Sequence, residues 1–327
     1  MRLSAVGELG VHALESQGVA QLLETALLTD PSAEVRRAAA IALADGAARG
    51  SVSALLQAAE DRDPRVRQMA LMALGELGDG AQGDLAATLH RALCGPLPAL
   101  RFQALASLVG LDIDADESLA RGLQDGDGHV RLLALRLLSD RAGSAAAAGE
   151  ATNSAAPPWL RLVREQLRDP LPTVRLAAAL VLQGLGDGEA EEVICQTLND
   201  TRGKLEVEEE LRAIDRVGRC GLIAAVPGLR RRAAGSFWLP NLLQWPARTA
   251  LALLGDAQAK SQILRGLQAW SWQTRTTAAH AAGVARLAAA QPQLQDLAAR
   301  PDAADPQVVQ EALQQLDQGP MKRSDTL

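Results

Sequence analysis

The chain has 327 residues and a net charge of −6; hydrophobic residues make up 48% of it, aromatic residues only 2%, and tyrosine is absent. The acidic balance argues against a general nucleic-acid binder, whose domains are basic, and a core filled by Ala and Leu suits close-packed helices rather than a sandwich or barrel. Cys94, Cys195 and Cys220 form no CxxC and no disulfide framework, no apolar leader core follows Met1, and no stretch approaches the ~18 apolar residues that span a bilayer, so a soluble protein of the reducing cytoplasm is predicted.

From the N-terminus, Ala5 to Gly10 reads as the tail of a second helix, comparable with Ala73 to Gly78, and predicts a truncated first repeat or a cap. A phrase of the form D-P-x-x-x-V-R-x-x-A then recurs. It stands at Asp30-Pro31 with Val35-Arg36 and Ala39, at Asp61 to Pro64 with Val66-Arg67 and Ala70, at Asp125 with Val130-Arg131 and Ala134, and at Asp169-Pro170 with Val174-Arg175 and Ala178. Weaker copies keep the Arg at Leu100-Arg101, Leu211-Arg212, Ala247-Arg248 and Thr274-Arg275, and the last, Asp305-Pro306 with Val308, has lost it. Self-similarity at a period of roughly 20–50 residues marks a stack of repeats.

Each repeat reads as helix, turn, helix. In the clearest, Val52 to Glu60 forms the first helix, and Asp63 caps the second with Pro64 at its first position. Val66, Ala70, Leu74 and Leu77 make the buried stripe of that second helix. Gly78-Asp79-Gly80 stops it, and the Leu-Gly-Asp ending returns at Leu185-Gly186-Asp187 and Leu254-Gly255-Asp256.

The Asp-Pro turn, the Val-Arg pair and the Leu-Gly-Asp ending together resemble the HEAT-repeat family, in particular the short bacterial repeats also found in phycobilisome lyase subunits. The resemblance implies an all-α solenoid of about eight to nine helix-turn-helix repeats, wound as a right-handed superhelix whose concave groove is lined by the second helices. Family members are mostly adaptors and scaffolds, and a minority are enzymes or enzyme-associated.

The low-complexity run Gly143 to Pro158 cannot bury enough apolar surface to order itself, so it is predicted to be a flexible linker. The predicted organisation is a repeat block at 1–142, this linker at 143–158, a second block at 159–318 and a polar tail at 319–327.

Among the functional candidates, the ladder of Arg36, Arg67, Arg101, Arg131 and Arg175 is predicted to be structural, pairing with turn carboxylates such as Asp30, Asp61 and Asp125. Positions two and six beyond each anchor are unusually apolar and include Ile41, Met72, Phe102, Leu132, Leu176 and Leu180; they suit a groove for an amphipathic helix or extended peptide, or else a wide buried arc. All five Trp (Trp159, Trp238, Trp245, Trp270, Trp272) follow the linker. Trp238 and the pair Trp270 and Trp272 lie near turns, and with Trp245 and the nearby Asn241, Gln244, Arg248, Gln273, Arg275 and His280 they form a second candidate partner site. The runs Arg230 to Arg232 and Glu206 to Glu210 read as solvated helix faces.

No nucleophile elbow, phosphate loop or metal-ligand spacing is present, nor a His-Glu pair of the kind that HEAT-like iron hydroxylases carry, so catalytic, metal and cofactor residues are predicted to be none. The resulting expectation is a non-enzymatic adaptor that holds a protein or peptide. A chromophore-lyase-like helper and a HEAT-like DNA-repair module are the alternatives.

Overall fold

The computed structural model describes residues 6, 9, 17–46, 48–78, 83–147, 159–201, 204–234 and 241–318. These form an all-α repeat fold with eighteen α-helices and no strand among the described residues. Consecutive helices pair as α1 (Gln17–Thr29) with α2 (Ala33–Asp45), α3 (Val52–Ala58) with α4 (Pro64–Leu77), α5 (Gly83–Leu93) with α6 (Pro98–Gly110), and α7 (Ala115–Leu123) with α8 (Gly128–Ala147). There follow α9 (Trp159–Gln166) with α10 (Pro172–Gly184), α11 (Glu189–Asn199) with α12 (Val207–Cys220), α13 (Val226–Ala233) with α14 (Gln244–Leu253), α15 (Ala257–Leu267) with α16 (Trp272–Val284), and α17 (Gln291–Ala298) with α18 (Pro306–Asp317). No described helix is long and apolar enough to cross a membrane.

The chain divides into two compact units, 1–163 and 164–327, with the division inside α9. Within the first unit the second helices α2, α4, α6 and α8 pack directly on one another, and within the second unit α10, α12, α14, α16 and α18 do the same. First helices touch one another more sparsely, so in each unit the second-helix layer is the tightly packed one. Leu and Ala fill it: Ala70, Leu71, Ala73 and Leu74 of α4 are buried, as are Ala278, Ala279, Ala281 and Ala282 of α16.

The repeated phrase acts through its turn. Asp30, Asp61, Asp125 and Asp169 each accept, on a side-chain oxygen, the amide N–H two residues on, which folds the turn locally. Asp63, Asp127 and Asp305 then cap the second helices that follow by accepting their first free amides.

The ladder arginines close the motif. Nη1 of Arg36, Arg67, Arg101, Arg131, Arg175 and Arg275 donates to the carbonyl six residues earlier, on its own turn, at 2.6–3.1 Å. Arg36 also donates Nε and Nη2 to both oxygens of Asp61 in the next repeat, at 2.7 and 2.9 Å, and Arg101 does the same to Asp125 at 2.7 Å each. The structural reading of the ladder therefore holds, with the Asp30 carbonyl accepting from Arg36.

The Leu-Gly-Asp endings do double duty. Gly186 and Gly255 adopt the left-handed conformation that ends a helix (φ +83° and +91°), with the next amide reaching back to Leu182 and Leu251. Asp256 then caps α15 through the Ala259 amide, and Asp187 accepts the Glu189 amide.

Three expectations are corrected. Arg212 and Arg248 do not stand on the ladder. Counting from the N-caps Glu206 and Leu243, the ladder position four residues on is Glu210 in α12 and Ala247 in α14, so the Val-Arg look-alikes are out of register by two residues and by one. The charge runs are solvated only in part: Glu208, Arg230 and Arg231 are exposed, but the others are not. Glu209 and Glu210 are buried, Arg232 pairs with Glu210, and Arg231 and Arg232 donate to the last carbonyls of α11, Leu198 and Asn199. Finally, Gly143 to Ala147, expected to open the linker, continue α8, because an Ala-rich run after a well-packed helix is itself a strong helix former. The remainder of that run (148–158), most of Ala5 to Gly10, and the tail 319–327 lie outside the described residues.

Candidate functional site

In the second unit the turns between first and second helices form an apolar edge. Leu171 is the N-cap of α10, Val207 the first residue of α12, Leu242 the residue before the N-cap of α14, and Trp270 and Trp272 flank the N-cap of α16. All five side chains are exposed, Leu242 at 74%, Trp270 at 97% and Trp272 at 45%. Four consecutive repeats thus present large apolar groups at one structural position, and since α10, α12, α14 and α16 stack in order, this edge extends over ~30 Å at helix spacings of 8–10 Å. In the first unit the equivalent turns carry Ser32, Asp63 and Asp127, with Leu97 the one exposed apolar member.

Beneath Trp270 the backbone is held tightly. Arg275 donates Nη1 to the carbonyls of Ala269 (2.6 Å) and Trp270 (2.8 Å), and Nε to Ala303 of the next turn (2.6 Å). Arg275 is thus a positioning group, and its guanidinium is turned into the turn. Trp245 is half-buried in α14, with its ring edge over Gly266 of α15, a seat that any side chain at Gly266 would take. The Arg248 guanidinium lies 5.0 Å from the Trp245 ring centroid, a cation–π arrangement. Burial, and then the nearby Arg265 charge, hold Arg248 below the usual arginine pKa.

The predicted aromatic site is therefore only partly assembled. Trp270 and Trp272 share one turn with Arg275, while Trp245 and Arg248 belong to the packing of the preceding repeat. His280 is exposed about 12 Å further along α16 than Trp272. Asn241 is a capping residue, accepting the Leu243 amide and donating to the Arg232 carbonyl. Trp238 lies outside the described residues.

The second-helix face divides likewise. Phe102 is 36% exposed, and Ile41, Met72 and Leu180 are half-buried, so all four remain accessible. Leu132 and Leu176 are buried in the core, which corrects their assignment as partner contacts: they belong to the wide buried arc of their helices.

Comparison with known proteins identifies the repeat. A family model described as HEAT repeats matches residues 19–108, the span from α1 into α6. Residues 19–108 are HEAT repeats. No curated protein matches the chain by sequence. Among solved structures, YibA of Escherichia coli superposes with a TM-score of 0.51 at 15% identity, covering 95% of this chain and 96% of that one. Kap95p, described as it binds RanGDP, superposes with a TM-score of 0.54 at 14% identity, covering 96% of this chain and 49% of that one. The CpcE–CpcF complex of phycocyanin lyase from Nostoc sp. matches at 21% identity over 78% and 88% of the two chains, but a TM-score of 0.38 is too loose to bear on function.

The HEAT match ends before the second unit, where the turns before α12, α14 and α16 lack the Asp-Pro pair and carry Val207, Leu242, Trp270 and Trp272 instead. Sequence reading found the Trp residues but missed Leu171, Val207 and Leu242, whose significance appears only once the N-caps are aligned. An apolar residue immediately around a helix N-cap, where polar residues are the norm, is the signal that would have found them.

Proposed function

We propose that the chain is a non-enzymatic scaffold that holds a partner protein, with the apolar turn edge of the second unit as its principal contact. Trp270 carries this reading: an almost wholly exposed Trp on a turn held by two Arg275 hydrogen bonds and tied by a third to the next turn. Trp is enriched at interface hot spots, where truncation costs ~2 kcal/mol or more, and a fixed backbone lowers the ordering entropy lost on binding. The accessible second-helix residues Ile41, Met72, Phe102 and Leu180 give a further face for an amphipathic helix or extended peptide. Kap95p, whose fold this chain resembles, binds RanGDP. The setting we infer is a reducing cytoplasm, in which Cys94, Cys195 and Cys220 stay as free thiols.

The test is affinity capture from native lysate with the wild type, Trp270→Ala and Phe102→Asp. A partner kept by the wild type and Phe102→Asp and lost by Trp270→Ala is the expected result. Loss by Phe102→Asp alone would move the site to the second-helix face. Capture of no protein by any of the three would overturn the scaffold reading.

A further inference from the structure

Charge is distributed unevenly along this chain. Residues 211–300 hold twelve Arg and Lys against three Asp and Glu, a net +9 within a chain of net −6. All three carboxylates are already engaged: Asp215 by Arg219, Asp256 by Arg230, and Asp296 by Arg300. Glu208 and Glu210, just before the segment, take up Arg212 and Arg232, and the cations that remain still outnumber the carboxylates.

Part of that excess stands beside the exposed aromatic turn. Arg265 lies in the last turn of α15, five residues before Trp270, and is exposed. It donates to the Ser261 carbonyl at 3.4 Å and makes no ion pair with a described residue. Its charge reaches Arg248 on α14, which is also partly desolvated. The exposed Arg265, with exposed Leu242, Trp270 and Trp272 on the adjoining turns, makes an apolar surface with a cationic border.

We propose that the turns before α14 and α16 dock an acidic amphipathic segment of a partner protein. Its apolar side chains lie on Leu242, Trp270 and Trp272, and its carboxylates face Arg265. This rests on the scaffold reading in so far as the occupant is a protein.

The surface fits such a segment better than a nucleic acid. Leu242, Leu171 and Val207 give bases neither a stacking plane nor a hydrogen bond, whereas nonspecific strand binding relies on aromatic platforms along a continuous basic track. The edge also carries Glu206 and Glu208 beside Val207, which repel a phosphate backbone. A peptide avoids both problems by placing its carboxylates only where the cations are. Exposed cations steer such a partner and make its binding salt-sensitive.

Fluorescent short peptides sharing one Leu/Phe pattern, with Glu, Gln or Lys at the polar positions, would be titrated with the full chain and followed by anisotropy. The Glu peptide is expected to bind about tenfold more tightly than the Gln peptide, and to weaken as salt rises. Arg265→Glu and Trp270→Ala are each expected to weaken it about tenfold or more, with Arg265→Lys restoring most of the affinity. Helical content measured on each variant separates loss of binding from loss of fold.

Equal affinity for the Glu and Gln peptides would overturn the acidic partner and leave the scaffold reading intact. So would failure of every peptide to bind while capture still yields a Trp270-dependent protein. Oligothymidylate that binds more tightly than the Glu peptide and quenches Trp emission would overturn the proposal in favour of nucleic acid.

Discussion

Arg36 uses one guanidinium for two joints. Its Nη1 ties down the Asp30 and Pro31 carbonyls of its own turn, while Nε and Nη2 grip Asp61 of the next. With only 4% of the Arg36 side chain exposed, and Asp61 nearly as enclosed, removing the cation strands a desolvated carboxylate. Arg36→Met is therefore expected to cost about 3 kcal/mol in urea unfolding. Arg67 provides the control: the equivalent place in the next repeat is Gly95, which has no carboxylate, and Arg67 donates to the Asp61 carbonyl of its own turn. Arg67→Met is expected to cost about 1 kcal/mol; equal losses in the two variants would show that the carboxylate grip adds nothing. The pH dependence follows from the same contact. The Arg36 bond, aided by the Asp63 amide, holds the Asp61 carboxyl below its ordinary 3.8 despite burial. Burial raises the Asp125 carboxyl, but the Arg101 fork and the Asp127 amide outweigh it and leave that group lowered as well. Groups whose folded pKa is depressed contribute fully above the unfolded value and lose that contribution as pH falls through the folded one. Stability should hold from neutral pH to about 5 and then drop with further acidification. The drop should be shallower in Asp61→Asn, and urea midpoints measured across pH would show it.

At the level of elements, the irregular pair of repeats α11 to α14 uses the same materials in reverse. The ladder position of α12 holds Glu210, and the cation comes from Arg232 of α13, which also donates to the Leu198 and Gly228 carbonyls. Gly228 sits where α13 meets the end of α11, its amide donating to Asn199 Oδ1 at 2.7 Å, and an added Cβ would run into the Leu198 carbonyl. Because the obstacle is backbone, Gly228→Ala is expected to destabilise by about 2 kcal/mol or more in urea unfolding, whereas Gly184→Ala on α10, with open space around it, should be close to neutral. This repeat also shows where legibility ended. Val66-Arg67 and Val174-Arg175 could be placed from sequence because an Asp turn, a Pro and an apolar stripe all agree on one register. At Leu211-Arg212 and Ala247-Arg248 only the dipeptide was visible, the turn signals having been replaced by Glu206, Leu242 and Leu243, and a dipeptide alone does not fix a register. The Arg230 to Arg232 run was the missing clue, since it supplies the cations that the ladder there lacks.

For the whole molecule, the repeat period and the Arg ladder were readable because each repeat states them again, so errors at one copy are outvoted by the others. The candidate site was readable only in part, because exposure at Trp270 and burial at Leu132 depend on packing that no local pattern records. The division into two units has a measurable counterpart. Four of the five Trp (Trp238, Trp245, Trp270, Trp272) lie in 164–327, so Trp emission reports mainly that unit, while circular dichroism reports helices in both. The two urea midpoints are expected to separate, as they do when long repeat arrays lose all-or-none behaviour; coincident midpoints would mean that both units melt as one. The Asp–Arg grips themselves reach only from one repeat to the next. Links of that kind make regular repeats interchangeable: a copy bounded by matching Asp turns can be duplicated or excised, and the chain ends will rejoin with every donor met. The stretch around Glu210 and Arg232 cannot be handled so, since each half is meaningless without the other. Lengthening or shortening this protein should therefore be better tolerated where matching Asp turns flank a repeat than at the Glu210–Arg232 seam.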